Sequence, residues 1–337
     1  MTTTRTNPMT TLRQRLSAAG VKRKYLNACI LPEWWDDEAA LNPAGFSEAQ
    51  LYVANRLGLT IDSLQSGGEL RFTQVSAKFK KRSDTNEDDL RLAKMIAFRA
   101  ARVAVLGCNT GPVPLPTAPG PLREEILKTG AKCVTLEGLL DYCWAHGIPV
   151  IHIGEFPPGT KKMDGLSARI DGRPAIVLSK NITSKSAMAF ILAHELGHLA
   201  LGHLPEDTDI LLDQSWERNE NDHEEQAANT FAAQVLTGME DPRFTAERKL
   251  TGDELAAASR RFGEKNGIAP GVVALNYGWT RKFFPVAFAA LKILEPNEHS
   301  VQIVRQRMVQ NLTEELMPTE AYEWLLRLTE APVQVQI

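Results

Sequence analysis

Apolar and polar positions in the first third of the chain alternate with the period of an α-helix. Over residues 47–58 the apolar positions share one helical face, and the run ends at Gly58, a residue type that commonly terminates helices. This apolar stripe consists of Leu51, Ala54 and Leu57. A second run, over residues 86–107, is acidic at its start and basic later, as the helix dipole favours. Both runs predict helices.

The pattern changes after residue 122, where short β-type runs alternate with helical ones. The dipeptide Asp171-Gly172 separates two apolar runs, which indicates a hairpin with a two-residue turn. The predicted elements are a helix over 135–147, a strand over 148–154, a hairpin over 165–179, a helix from about 184, and helices over 223–236, 252–267 and 318–331. This mixture predicts an α+β fold with a small antiparallel or mixed sheet.

A stretch rich in proline and glycine separates the two patterns. Residues 107–122 contain five prolines and three glycines, which interrupt helices and strands. We therefore expect a linker there. The predicted organisation is a helical region over 1–106, the linker over 107–122, a central domain over 123–245 and a second helical region over 246–337.

The candidate chemistry lies in the sequence HELGH, residues 194–198, inside a helical run. His194 and His198 are four positions apart, so both imidazoles project from one helix face and can bind one zinc ion. Glu195 can then take a proton from a water molecule whose pKa the zinc ion lowers to roughly 7. The motif predicts a zinc-dependent hydrolase in which Glu195 is the general base and later the proton donor.

A catalytic zinc site needs a third protein ligand. The histidine that completes reprolysin-like sites would fall at Leu204, so that class is excluded, and His203 is interpreted as a supporting residue. In thermolysin-like sites the third zinc ligand is a glutamate from a second helix. The helix over 223–236 offers Glu224 and Glu225, and the hydrophobic pattern does not choose between them.

The central domain resembles the ImmA/IrrE family of metallo-endopeptidases. FILAHELGHLALGH is followed by EQAANTFAAQVL, and the second helix of that family has the form E-x-x-A-N-x-F-A. With the preceding hairpin, the resemblance covers about residues 123–240. It implies a minimal thermolysin-like zincin domain and assigns the third zinc ligand to Glu225. One turn further along, Asn229 is expected to support the ligands.

The resemblance also implies that the substrate is a protein, often a helix-turn-helix repressor whose cleavage derepresses stress or mobile-element genes. We therefore expect a zinc endopeptidase that hydrolyses peptide bonds of a protein partner. In thermolysin-like enzymes the substrate adds as an extra strand at the sheet edge near the zinc ion. The hairpin, and in particular its strand over 175–179, is the candidate for that edge.

A second interpretation is a DNA-binding transcriptional regulator or antitoxin with a non-proteolytic peptidase-like domain. Residues 51–67 resemble the helix-turn-helix of lambda-repressor-like (XRE) regulators, with Gly58 at the turn. Candidate base-reading residues are Thr60, Ser63 and Gln65. A basic cluster that would contact phosphates consists of Lys78, Lys80, Lys81 and Arg82.

The composition says more about where in the cell the protein is located than about which kind of partner it binds. The net charge of -3 gives no overall reason for a nucleic-acid or membrane partner, although residues 1–106 hold 16 Lys and Arg against 11 Asp and Glu. No apolar run approaches the ~20 residues of a membrane span, and residues 1–16 lack the apolar core of a signal peptide. The four cysteines form no CxxC pair, which favours reduced thiols and a cytoplasmic protein.

Overall fold

The chain folds into helices arranged around one mixed sheet. The computed structural model describes residues 7–74, 77–79, 87–160, 163–204, 210–213, 223–297 and 299–330. Within these ranges a five-stranded sheet lies between a helical N-terminal region and a helical C-terminal region. The predicted α+β class with a mixed sheet is confirmed. No helix in the described ranges is long and apolar enough to cross a membrane.

Helices account for most of the described chain. They are α1 (Pro8–Ala18), α2 (Arg23–Tyr25), α3 (Pro43–Leu57), α4 (Ile61–Gln65), α5 (Glu87–Gly107), α6 (Pro119–Leu127), α7 (Leu136–Ala145), α8 (Lys185–Ala200), α9 (His223–Thr237), α10 (Gly252–Asn266), α11 (Pro270–Thr280), α12 (Phe284–Leu294), α13 (Ser300–Asn311) and α14 (Thr319–Leu328). A π-helical turn (Leu26–Ile30) continues α2, and two 3-10 turns are formed by Asp37–Leu41 and Glu314–Leu316.

Helix α3 shows how local capping sets an element boundary. It begins before residue 47 because Pro43 occupies its first turn and the side chain of Asn42 accepts a hydrogen bond from the amide of Ala44. It ends at Gly58, whose φ of 68° is left-handed, as the sequence predicts. The predicted apolar stripe is wrong at Leu51, which is 51% exposed because α3 turns that side chain outward.

The sheet forms around the predicted hairpin. Its strands are β1 (Ala77–Phe79), β2 (Val150–His152), β3 (Gly165–Ile170), β4 (Arg173–Leu178) and β5 (Ile210–Asp213), in the spatial order β1-β5-β3-β4-β2. β3 and β4 pair antiparallel across the turn at Asp171 and Gly172, whose φ values are 50° and 80°. Two consecutive positive φ values are the signature of a type I′ turn, and they lie at the two-residue turn that the sequence predicts.

The hairpin lies in the middle of the sheet, so the expectation that it forms the free edge is wrong. β2 pairs parallel with β4, and β5 pairs antiparallel with β3. The strand predicted over 148–154 is β2, whereas β5 has only four residues and gives little signal in the sequence. Among the described strands, β1 and β2 are the outer ones.

Helices cover both faces of the sheet. α5 packs on one face of β3 and β4, and α8 packs on the other. The core on the α5 side also includes residues of α1, α3 and α14, while the core on the α8 side includes residues of α6, α7 and α9. A single core therefore joins the N-terminal region, the sheet and the last helix. Helix α6 begins at Pro119, inside the stretch expected to be a linker. The proposed domain boundaries stay predictions.

The N-terminal region contains a short helix after the glycine turn. α3, Gly58 and α4 follow one another, but α4 has only five residues. Ser63 is fully buried and donates its hydroxyl to the carbonyl of Thr60, so it is not available to read a base. The side chains of the basic cluster that begins at Lys78 lie outside the described residues. DNA binding stays a prediction.

Candidate metal centre

Helices α8 and α9 bring the candidate ligands together. Ser184 caps α8 by accepting a hydrogen bond from the amide of Ala187. Gly197 then lets α9 approach closely, since a Cβ at this position would lie 3.3 Å from the Cα of Ala228. A larger residue at position 197 would push the helices apart, and the close approach allows a side chain of α9 to reach the histidines of α8.

The two histidines and the glutamate converge through three nitrogen and oxygen contacts. Nε2 of His194 lies 3.0 Å from Nε2 of His198. The carboxylate of Glu225 reaches both rings, with Oε2 at 3.3 Å from His194 Nε2 and Oε1 at 3.3 Å from His198 Nε2. Among the described residues these three form a cluster that could hold a metal ion, with ligand atoms within 4.8 Å of one another. Glu224 does not belong to the cluster.

This donor set fits a tetrahedral zinc ion. Zinc binds imidazole nitrogen and carboxylate oxygen at about 2.0–2.2 Å, so two ligand atoms at tetrahedral corners lie about 3.3 Å apart. The observed separations of 3.0 and 3.3 Å match that spacing. Two histidines and one glutamate leave a fourth position open, which is typical of catalytic rather than structural zinc sites.

The environment keeps Glu225 in its charged form. Burial of the carboxyl acts to raise its pKa, but hydrogen bonds from His194 and His198 and their charges outweigh it, and the pKa lies well below the ordinary value. The side chain is 12% exposed. A carboxylate that stays charged in this mostly buried position beside two histidines can bind a cation.

Each histidine has a second contact that orients its ring. Nδ1 of His194 lies 3.1 Å from Oδ1 of Asn229, and Nδ1 of His198 lies 2.9 Å from Nδ1 of His203. The amide oxygen of Asn229 can only accept a hydrogen bond, so it places the proton of His194 on Nδ1 and makes Nε2 the nitrogen that can bind a metal. His203 reaches the ring of His198 directly, in the supporting position that the sequence suggests.

The candidate base, Glu195, is held by strand β3. It is 1% exposed, and its Oε2 accepts a hydrogen bond of 2.6 Å from the hydroxyl of Ser167. A Cβ at Gly165 would lie 2.3 Å from Oε1, so only glycine leaves room for the carboxylate. Sequence reasoning did not single out Ser167 or Gly165. The signal was present, because in the strand GLSARI these two positions alternate with apolar ones and so face away from the core below α5.

A carboxylate from the C-terminal region anchors the start of α8. Glu295 accepts hydrogen bonds of 2.5 Å from the hydroxyls of both Ser184 and Ser186, and its Oε1 lies 3.3 Å from the amide nitrogen of Ser186. A negative charge at a helix N-terminus interacts favourably with the helix dipole. No local pattern connects residue 295 with residue 184, so the sequence gives no sign of this contact.

A cavity of about 490 Å³ lies between α8, α9 and α11 beside the centre. Asn229, which contacts His194, is part of its wall. So are Phe190, one helical turn before His194, and Trp279, whose ring centroid lies 5.0 Å from that of Phe190. The cavity therefore reaches Asn229 but has none of the three cluster residues in its wall, and part of that wall is aromatic.

Residues 145–269 match the family model Peptidase_M78, the IrrE N-terminal-like domain. This segment is similar to the IrrE N-terminal-like domain. The family resemblance seen in the sequence is confirmed, and the match extends through α10 to the residue before α11. No curated protein matches the chain.

The matched segment contains the three cluster residues, Glu195 and the residues that contact them, whereas Trp279 and Glu295 lie outside it. It starts at the last residue of α7 and includes strands β2 to β5 and helices α8, α9 and α10. The matched family is a peptidase family, and the cluster of His194, His198 and Glu225 is compatible with a metal.

Proposed function

We propose that this protein is a zinc-dependent endopeptidase that cleaves a protein partner. The observation that carries the proposal is the convergence of three metal-ligand side chains beside a separate buried carboxylate, Glu195. A site that only stored a metal would not need this second carboxylate, whereas hydrolysis needs a general base. The peptidase family of the domain supports the same reaction.

In this proposal each residue of the site has a separate role. His194, His198 and Glu225 hold the zinc ion, which when bound acidifies a water molecule and polarises a peptide carbonyl. Glu195 takes the proton of the attacking water and later delivers it to the departing amine. Ser167 keeps the Glu195 carboxylate oriented, and burial of the site excludes bulk water from the proton transfer.

The substrate is proposed to be a protein, and a helix-turn-helix repressor is the candidate class that the family resemblance implies. The cavity beside Asn229 offers space for part of the substrate, and Phe190 and Trp279 in its wall favour an apolar group. Cleavage of such a repressor would place the protein in stress or mobile-element regulation. The proposed site of action is the cytoplasm, which suits the four free cysteines.

The second interpretation, a DNA-binding regulator with an inert peptidase-like domain, has less support. The short α4 and the buried Ser63 offer little surface for reading bases. The residues of the metal cluster and Glu195 are all in place, which an inert domain would not require. A gel shift with the DNA upstream of the gene tests this interpretation, and salt-sensitive binding would speak for it.

The experiment combines metal analysis with cleavage. The zinc content of the purified wild type is compared with that of His194→Ala, Glu225→Gln, Glu224→Gln and Glu195→Gln. We expect one zinc ion in the wild type, in Glu224→Gln and in Glu195→Gln, and loss of zinc from the other two. Glu224→Gln is a matched control, because it removes the neighbouring carboxylate, which lies outside the cluster.

Cleavage is then measured on the helix-turn-helix protein encoded beside the gene, by mass spectrometry of the fragments. We expect fragments with the wild type and with Glu224→Gln, and none with Glu195→Gln although it retains zinc. Equal cleavage by the wild type and Glu195→Gln would refute the proposed role of the base.

A further inference from the structure

The cavity between α8, α9 and α11 is separate from the reacting groups. Among the described residues, its wall includes neither Glu195 nor any member of the metal cluster, so an occupant would touch neither a bound metal nor the candidate base. The α11 side of the wall lies after residue 269, where the match to the family model ends. The matched segment alone therefore does not build this cavity, and its occupant need not take part in the peptidase reaction.

The buried part of the cavity wall is apolar. Its apolar members, none of them more than 6% exposed, are Leu236, Val272 and Leu275. Two buried hydroxyls also belong to the wall, but their donors are already used within the protein. Ser186 donates to Glu295, and Thr237 donates to the carbonyl of Ala233. This part of the cavity therefore favours an apolar occupant.

Two aromatic rings form one side of the cavity. The ring centroids of Phe190 and Trp279 lie 5.0 Å apart, and the ring planes are inclined at 47°. Tilted aromatic pairs of this kind present both a ring face and a ring edge, and a further aromatic ring packs favourably against either. This side of the cavity therefore favours an occupant that contains an aromatic ring.

The charged residues of the cavity wall are exposed, and their charges cancel. They are Glu240, Asp241, Arg243 and Lys282. Asp241 and Arg243 neutralise each other, with Nε of the arginine 2.8 Å from Oδ2 of the aspartate. Such a wall gives no preference for a charged ligand. The volume of about 490 Å³ lies within the range of roughly 300–1,000 Å³ that is typical of sites for whole small molecules.

Asn229 connects this cavity with the metal cluster, because it is part of the cavity wall and also contacts His194. Its Oδ1 lies 3.1 Å from Nδ1 of the histidine, while its Nδ2 has no hydrogen-bond partner within the described residues. The amide group is thus held at one end only. A molecule packed against Asn229 would restrict rotation of this side chain and keep its oxygen directed at His194, the orientation that favours metal binding.

We propose that this cavity binds a small uncharged aromatic molecule, and that its occupation strengthens metal binding at the cluster through Asn229. By thermodynamic linkage, a bound metal then strengthens binding of the molecule by the same factor. Such a molecule would set the fraction of the protein that carries a metal. A substrate group that entered the same space would compete with it. The inference goes beyond the proposed function, since it requires a metal at the cluster but no cleavage.

The experiment measures binding of N-phenyl-1-naphthylamine, an uncharged aromatic dye whose fluorescence rises in apolar surroundings. The dye is titrated with the full chain, once metal-free and once saturated with zinc. We expect saturable binding that is at least about fivefold tighter in the zinc-saturated protein, which is the lower end of typical coupling between two sites. The inference is overturned if the dye does not bind, or if zinc leaves its affinity unchanged.

Substitutions in the wall test the location of the site. Ala233→Phe places a ring in the cavity, and we expect at least tenfold weaker binding of the dye. Ala257→Phe makes the same change at an exposed position of α10 outside the wall, and its affinity should stay within twofold of the wild type. Trp279→Ala enlarges the cavity instead of filling it and should weaken binding at least fivefold, so the result does not depend on the folding of one variant. Equal affinity in all three variants would overturn the assignment of the site.

Asn229→Ala tests the coupling separately from the site. We expect the metal-free variant to bind the dye within threefold of the wild type, whereas saturation with zinc should change its affinity less than twofold. Thr230→Ala, at the next position of the same wall, is the control and should retain the full effect of zinc. If Asn229→Ala retains that effect as well, the coupling does not pass through Asn229 and this part of the inference is wrong.

These outcomes are distinct from failure of the proposed function, because none of them measures cleavage. If the wild type cleaves no protein while zinc and the dye strengthen each other, the cavity is the ligand site of a non-proteolytic metal-binding domain. If the wild type cleaves its partner while dye affinity responds neither to zinc nor to the substitutions, the peptidase proposal stands and the ligand site falls.

Discussion

The hydroxyl of Ser167 donates a hydrogen bond of 2.6 Å to Oε2 of Glu195, and both side chains are buried. The same hydroxyl lies 3.1 Å from the backbone carbonyl of Glu195. This relationship joins the middle of the sheet to the helix that carries the candidate ligands. It restricts the rotamer of Glu195, so the geometry of the base depends on a strand as well as on its own helix.

Replacing Ser167 tests whether this hydrogen bond contributes to catalysis. A hydrogen bond to a charged group contributes about 1.5–3 kcal/mol, so we expect Ser167→Ala to lower kcat by about 10–100-fold. The zinc content and KM should remain close to those of the wild type, because neither ligand nor substrate is touched. Ser179→Ala is the control, since this buried serine donates to the carbonyl of Met163 instead. An unchanged kcat in Ser167→Ala would refute the positioning role.

Adding one methyl group at Gly165 should displace the base. The new Cβ would lie 2.3 Å from Oε1 of Glu195, so the carboxylate must move. A displacement of about 1 Å at a reacting group can cost about 100-fold in rate, and we expect a loss of that size in kcat for Gly165→Ala. Gly120→Ala should have no effect, because nothing lies within 4 Å of its Cβ position. Circular dichroism and zinc analysis should show that Gly165→Ala remains folded and loaded.

Asn229 should control zinc affinity without binding zinc itself. Removal of a group that orients a metal-bound histidine typically lowers affinity by about 10–100-fold, and we expect this of Asn229→Ala. A titration against a chromophoric zinc chelator measures the change. Gln234→Ala, on the same helix, is the control, since its amide donates to the carbonyl of Glu240 rather than to a histidine. Equal zinc affinity in both variants would argue against the assigned role of Asn229.

Glu295 should stabilise the fold through the start of α8. Glu295→Gln removes the negative charge that Ser184 and Ser186 hold at the helix N-terminus, and we expect a loss of about 1–2 kcal/mol in the free energy of unfolding. Urea denaturation measures it. Glu315→Gln, an exposed position outside any such contact, should unfold like the wild type. If the two variants unfold at the same urea concentration, Glu295 does not anchor α8.

Sequence reasoning succeeded where the cause of a structure is local. The turn at Asp171 and Gly172, the left-handed cap at Gly58 and the capped start of α8 at Ser184 each depend on residues within a few positions. The metal cluster was predictable for a related reason. The four-residue spacing of His194 and His198 on α8 is a local property. The choice of Glu225 over Glu224 came from the family resemblance, since the hydrophobic periodicity allowed both.

The features that sequence reasoning missed depend on pairing between distant segments. Strand β5 is recognisable as a strand only because β3 lies beside it, and the same holds for β1 beside β5. The order of strands decides which edge is free, and no periodicity within the hairpin contains that information. Leu51 was misplaced for a similar reason, because its exposure depends on which neighbours α3 contacts in the folded chain.

Helix α14 ties the end of the described chain to its beginning. The indole nitrogen of Trp324 donates to the carbonyl of Cys29, Arg327 donates to the carbonyl of Leu31, and Arg56 donates to the carbonyl of Glu320. A ribosome that has released only the first three hundred residues has therefore exposed an N-terminal region whose apolar surface still lacks its last covering helix. Completion of that region has to wait until α14 has been translated, a period in which chaperones have a surface to recognise.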